Sequence, residues 1–143
     1  MTSIEVERIG TGFGFNARDA HGHTILMDTS SDSGGENYGV RPMQLVLMSL
    51  GGCSGIDIIS ILTKQRVLVK RLLMKIDGER EPDKVPSLWK TISIIFELGG
   101  EIEPAMAKRA CELSIYKYCS VAETLRRAGA AISWKVIVNG KEV

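Results

Sequence analysis

Apolar positions change their period along the chain. Near the start they recur every second residue. Ile4 and Val6 alternate with Glu5 and Glu7, Phe13 and Phe15 with Gly14 and Asn16, and residues 23–28 read HTILMD. Successive strand side chains point to opposite faces, so this period predicts three short strands, with Gly10, Gly12 and residues 19–22 as turns. Residues 29–39, TSSDSGGENYG, have no period and read as a mobile polar loop. From residue 42 the pattern becomes helical. The stretch RPMQLVLMSLGGCSGIDIISILTKQR opens on Pro42, suited to a first helical position, and closes on Lys64 and Arg66, suited to the negative end. Leu45, Met48, Ile56 and Ile59 keep helical spacing, while Leu47, Leu50, Ile58, Ile61 and Leu62 fill the other faces. A helix apolar nearly all round is expected to be buried.

Period two then returns. Residues 67–80 place Leu68, Leu72, Met74 and Ile76 on one face, and residues 88–98 do the same with Leu88, Ile92, Ile94, Phe96 and Leu98. The proline-bearing EPDKVPS between them suits a hairpin loop. Pro104 opens a second helix to about residue 118. Ser120 and Glu123 are spaced as the capping box of a short third helix, and Gly129 ends it. Residues 131–138, AISWKVIV, make a last strand. The order βββ–α–ββ–α–α–β is an α+β fold, with helices packed on antiparallel sheet in one domain over residues 1–143.

Composition narrows the setting. Hydrophobic residues make up 44% and charged residues 24%, as in an ordinary globular domain. A net charge of +1 provides no electrostatic footprint for nucleic acid or an anionic membrane, so neither partner is expected. The start, MTSIEVERIG, lacks the apolar core of a signal peptide. The apolar run 43–62 is interrupted by Gln44, Ser49, Gly51, Gly52 and Asp57. A lipid-spanning helix wants about 20 mostly apolar residues, so a core helix is the expectation here. Three cysteines, an odd number without a secretion signal, point to a reducing, cytoplasmic setting rather than a disulfide framework.

The cysteines carry the candidate chemistry. Cys53 follows two glycines at the centre of the apolar helix. Glycine weakens a helix by about 1 kcal/mol against alanine, so the pair needs a reason. Either another element packs close, or the sulfur must be reachable. Asp57, one turn on, adds a carboxylate to the same face, which by itself disfavours a thiolate. A reactive Cys53 therefore needs a compensating cation or hydrogen-bond donors. Cys119 precedes the capping box, where amide donors and the helix dipole are expected to lower a thiol pKa. Cys111 lies inside the second helix beside Ala107, Ser114 and Tyr118 and reads as core. His21 and His23 would complete a donor set for a metal, but no CxxC, HExxH or close helical pair is present, and no metal is expected. No P-loop, GxGxxG or GxSxG occurs, so neither a nucleotide cofactor nor serine hydrolysis is expected.

Two separated segments, P-M-x-L-x-x-x-x-L-G-G-C over residues 42–53 and L-S-x-x-K-Y-C-S-V over residues 113–121, resemble the OsmC/Ohr family of thiol-dependent hydroperoxide reductases. The likeness lies closer to the less characterised branch of that family and extends over nearly the whole chain. It implies an OsmC-like fold, with antiparallel sheets wrapped around two longer helices in an intertwined homodimer. It implies that Cys53 attacks the peroxide and Cys119 resolves the sulfenic acid as a disulfide, which a cellular thiol, often a lipoyl group, reduces. It also implies an arginine beside the sulfur, for which Arg18 in Asn-Ala-Arg-Asp is the better match and Arg41 the other candidate. The family's glutamate has no counterpart, because Met43 and Gln44 occupy the two positions where its branches place one.

Two functions follow. The first is a cysteine peroxidase acting on organic or lipid hydroperoxides in oxidative stress defence, with Met43, Met48 and the isoleucines as an apolar wall. The second is a non-enzymatic dimer that binds an apolar ligand or senses redox state, which the missing carboxylate favours. A thiol-transfer role on other electrophiles is a weaker third.

Overall fold

The structure is a computed structural model describing all 143 residues, which form two compact units, Met1–Met48 and Ser49–Val143. In the first unit β1 (Ile4–Ile9), β2 (Gly14–Asp19) and β3 (Thr24–Met27) form an antiparallel sheet in that order, with Ile4 opposite Asp19 and Phe15 opposite Met27. The predicted strands are present. The segment after them is more ordered than its composition suggests. Asp28, only 3% exposed, accepts hydrogen bonds from the backbone N–H groups of Thr29 (2.7 Å), Glu36 (2.9 Å) and Tyr38 (3.1 Å). A 3₁₀ turn over Ser31–Ser33 lies inside that span. The chain then returns along β3, where a Cβ on Gly39 would stand 2.2 Å from the Leu26 carbonyl. One carboxylate and one glycine thus replace the expected mobile loop with a defined one.

The long helix α1 spans Pro42–Lys64. By length and composition it could cross a bilayer, but one face, Leu50, Gly51, Ser54, Gly55, Ile58 and Leu62, is buried within the chain. The other face is not, and this corrects the expectation of burial all round. Met48, Ile56 and Ile59 are 53, 73 and 40% exposed.

The second unit holds β4 (Arg71–Arg80), β5 (Trp89–Gly99), β6 (Ala131–Val138) and β7 (Lys141–Glu142) in one sheet of that order. β4 and β5 are antiparallel, but β5 and β6 are parallel. The exception follows from the chain between them. α2 (Pro104–Leu113), a π turn over Ser114–Tyr118 and α3 (Ser120–Arg127) form the long crossover that parallel neighbours require. The core gathers Ile92, Ile94, Phe96 and Leu98 of β5 with Val136 and Val138 of β6 and the buried faces of the helices. Leu88 stays outside this core at 39% exposure, and Trp89 at 9% takes the inward place at the strand's start.

The paired glycines of α1 have separate reasons. A Cβ at Gly51 would meet Ile76 Cδ1 at 3.1 Å, and one at Gly55 would meet Met74 Cε at 3.0 Å, so both let the helix lie close on β4. Gly52 faces open space, where a Cβ would have no atom within 4 Å. Gly55→Val is expected to lower unfolding free energy by about 1–3 kcal/mol through overpacking. Where this helix face stays open to solvent, Gly52→Ala is expected to raise it by about 0.5–1 kcal/mol. Denaturant titration checks both, and destabilisation by Gly52→Ala would mean that something outside this chain fills the space.

Candidate functional site

The site lies in the second unit, where α1, the π turn and the start of α3 converge. Cys53 and Asp57 are one turn apart on α1, and Cys119 stands immediately before α3. The two sulfurs and a carboxylate oxygen of Asp57 all lie within 4.8 Å of one another. The two cysteines are free thiols, Cys53 half-buried and Cys119 2% exposed.

The N-cap of α3 is Cys119 itself rather than Ser120. Its Sγ accepts the Ala122 N–H at 3.3 Å. Glu123 does not reach back in a capping box but pairs with Arg126 (2.9 Å) and Arg127 (2.8 Å). The cap does not make Cys119 acidic. Burial is the largest influence on its thiol, and the hydrogen bond with Cys53 acts in the same direction, so the pKa is pushed up to about 12. The Ala122 N–H pulls it down but is outweighed. The expected low pKa is thereby reversed. Desolvation disfavours the anion more than one amide donor stabilises it. Cys111 is fully buried, and burial pushes its thiol up to about 12, as suits a core position.

Ser114 is a member of this group that sequence reasoning placed only on the Cys111 face. It is fully buried. Its Oγ lies 3.1 Å from Asp57 Oδ2 and 3.3 Å from the Ser54 carbonyl, and its own carbonyl accepts the Cys119 N–H at 2.8 Å. The widened π turn that starts at Ser114 sets this geometry. Such turns frequently mark functional sites, but nothing in the residue types of SIYKY announces one. Arg126 anchors the turn by donating to the Ile115 carbonyl at 2.7 Å.

The remaining candidates belong to the first unit. Arg18 lies on β2, opposite Glu5 of β1 and Thr24 of β3. Arg41 precedes α1, and its charge helps hold the Asp28 carboxyl below the usual range, after the N–H groups of Tyr38 and Glu36. Gln44, at one of the positions lacking a glutamate, accepts the Arg41 N–H at 3.2 Å through Oε1 and so acts at the helix N-terminus. His21 and His23 occupy the β2–β3 turn, where Asp19 accepts both backbone N–H groups at 2.9 Å and the His23 ring at 2.7 Å. The groups that the fold does gather are Cys53, Asp57 and Cys119, with the two sulfurs and a carboxylate oxygen close together.

Helices laid on a mixed sheet, with a thiol pair where the long helix meets the later ones, define an α+β protein with a dithiol site. The chain belongs to the OsmC-like protein family, whose profile matches residues 34–135. It is 41% identical to Protein YhfA of Escherichia coli (strain K12) over 118 residues, 82% of this chain and 84% of that one. It superimposes on a hypothetical protein from Aquifex aeolicus VF5 with a TM-score of 0.79 at 30% identity, covering 97% of this chain and 98% of that one. It also superimposes on an organic hydroperoxide resistance protein, OsmC, from Legionella pneumophila with a TM-score of 0.73, covering 96% and 97%. Identity there is 15%, so that likeness concerns the fold.

Native alkylation is expected to separate the thiols. At pH 7–8 a neutral alkylating reagent labels Cys53, while Cys119 and Cys111 stay unlabelled because both are buried thiols with a pKa of about 12. Their labelling grows only as pH rises toward that value, since the thiolate is the reacting form. Peptide mass spectrometry at timed intervals reads the order.

Proposed function

We propose that this chain is a thiol-dependent hydroperoxide reductase in which Cys53 is the attacking and Cys119 the resolving cysteine. The observation that carries the reading is the approach of a half-buried and a buried sulfur to within 4.8 Å. The more accessible sulfur suits attack on a substrate, and the enclosed one suits a reaction with its neighbour. Family membership supports a redox role, and so does the hydroperoxide resistance of the Legionella pneumophila relative in fold.

The chemistry needs only the two sulfurs, a peroxide and a reducing thiol. Cys53 sulfur attacks one peroxide oxygen; the O–O bond breaks, an S–O bond forms, and the displaced alkoxide leaves as an alcohol after taking a proton. Cys119 then displaces the sulfenic hydroxyl, forming the disulfide and releasing water. Two equivalents of thiol, or one dithiol such as a reduced lipoyl group, restore both cysteines by exchange. Arg18 is the cation proposed to steady the Cys53 thiolate. A reducing compartment such as the cytoplasm would supply the thiol.

The reading includes a homodimer. Met48, Gly52, Ile56 and Ile59 recur at i, i+4, i+8 and i+11 on α1 and make an exposed, largely apolar stripe. A second copy of the same helix would cover it. Ile56→Glu is expected to convert a dimer into a monomer in sedimentation velocity, and a monomeric parent protein would overturn this part.

A non-enzymatic dimer that binds an apolar ligand or senses redox state is the second reading. It is favoured by Gln44, which serves the helix end rather than placing a carboxylate beside an arginine. Single-turnover thiol counting separates the two. Fully reduced protein has three free thiols, and one equivalent of an organic hydroperoxide is expected to consume two of them within seconds. Cys53→Ser should lose none, and Cys119→Ser should lose one and leave a trappable sulfenic acid. Survival of every thiol for minutes would overturn the peroxidase.

A further inference from the structure

Two properties of Cys119 oppose each other. As the resolving residue it must give up a proton to attack Cys53, yet burial pushes its thiol pKa up to about 12. A thiol is a poor nucleophile until it is deprotonated. The step therefore needs a proton acceptor close to the sulfur. One carboxylate meets that requirement: Asp57, with an oxygen within 4.8 Å of both sulfurs. That separation allows transfer after a small adjustment or through one water.

The carboxylate is held for the purpose. The Ser114 hydroxyl, 3.1 Å from Asp57 Oδ2, is fully buried, and the Ser114 carbonyl fixes the Cys119 N–H at 2.8 Å. One residue thus positions both the acceptor and the backbone of the group it would deprotonate. Asp57 also lines a cleft of about 440 Å³ whose walls include Lys64 and Tyr118, so a proton on it can reach water. The groups that face the carboxylate are Cys53 of its own helix, Ser114 of the π turn and Cys119 at the start of α3, and Lys64 of the same helix and Tyr118 of the π turn line the same cleft.

We propose that Asp57 is the proton acceptor of the resolving step and that Ser114 positions it. The inference rests on the Cys53–Cys119 assignment above. The Cys119 S–H bond breaks and its proton passes to the Asp57 carboxylate. The Cys119 sulfur bonds to the Cys53 sulfur as the S–O bond of the sulfenic acid breaks. The departing hydroxide takes the proton from Asp57 and leaves as water. Cys119 sulfur is oxidised, the sulfenic sulfur is reduced, and Asp57 ends as it began.

The test separates resolution from peroxide chemistry. Cys53 of the full chain is loaded with a pyridyl disulfide under acid, the pH is raised, and thiopyridone release reports closure of the Cys53–Cys119 bond. A parallel run starts from an organic hydroperoxide. Asp57→Asn is expected to slow thiopyridone release by at least about tenfold, within the range of a lost general base. Ser114→Ala should give a smaller loss, because the carboxylate remains but is held less firmly. The pH profile carries the distinction from a structural role. Parent release rises with pH less steeply than release from the variant. In Asp57→Asn it climbs about tenfold per pH unit, tracking the Cys119 thiolate. Far-ultraviolet circular dichroism confirms that the variants fold, and formate rescue of Asp57→Ala replaces Asp57→Asn should that variant not fold. Release within twofold of the parent with an unchanged pH profile would overturn the proposal. A silent peroxide run beside normal thiopyridone release would overturn only the peroxidase reading. No release from the parent protein would overturn both.

Discussion

The close seat of α1 on β4 is the constraint on which the site depends. Gly51 and Gly55 lack the side-chain carbon that would stand 3.1 and 3.0 Å from Ile76 and Met74, so the helix can sink onto the strand. With that face sunk, Ser54 is enclosed and its hydroxyl turns back on the Leu50 carbonyl at 2.8 Å. The Ser54 carbonyl and Asp57 then come within reach of Ser114 at 3.3 and 3.1 Å. A helix lifted by even a methyl group would lengthen contacts that tolerate only tenths of an ångström. The pair of sulfurs therefore depends on glycines that never touch them.

The behaviour of Cys119 is a contest between two local effects. A helix start offers an amide donor, and that donor does reach the sulfur from Ala122. The short helix is packed into the core, however, and taking the sulfur out of water outweighs the amide. The outcome is a division of labour. The enclosed thiol stays protonated beside its partner, while the half-buried Cys53 is the sulfur that a molecule from outside can meet.

Membership of the OsmC-like family sets the frame. Positions 43 and 44 carry no carboxylate, and Gln44 is engaged with the Arg41 backbone. The negative group near the sulfurs is Asp57, one turn beyond Cys53. A carboxylate oxygen on that side lies within 4.8 Å of both the Cys119 and the Cys53 sulfur. The exposed stripe of Met48, Ile56 and Ile59 gives α1 a second apolar face that this chain alone leaves open.

Much of this was legible in the residue pattern. The strands, the three helices and the core place of Cys111 follow from period, caps and composition, because these are local properties of consecutive residues. Other features were not legible. The parallel β5–β6 pairing depends on which strand the crossover returns to, and period two is the same in either direction. The order in residues 29–39 comes from the Asp28 carboxylate bonding three amides as far as ten residues away. The π turn that presents Ser114 leaves no compositional trace. The sequence by itself determined which elements form and which of them carry the cysteines. Only the tertiary structure decided that the sulfurs meet, that Cys119 holds its proton, and that Asp57 stands beside both. Distance and desolvation are properties of groups brought together from separate helices, and no single stretch of chain contains them.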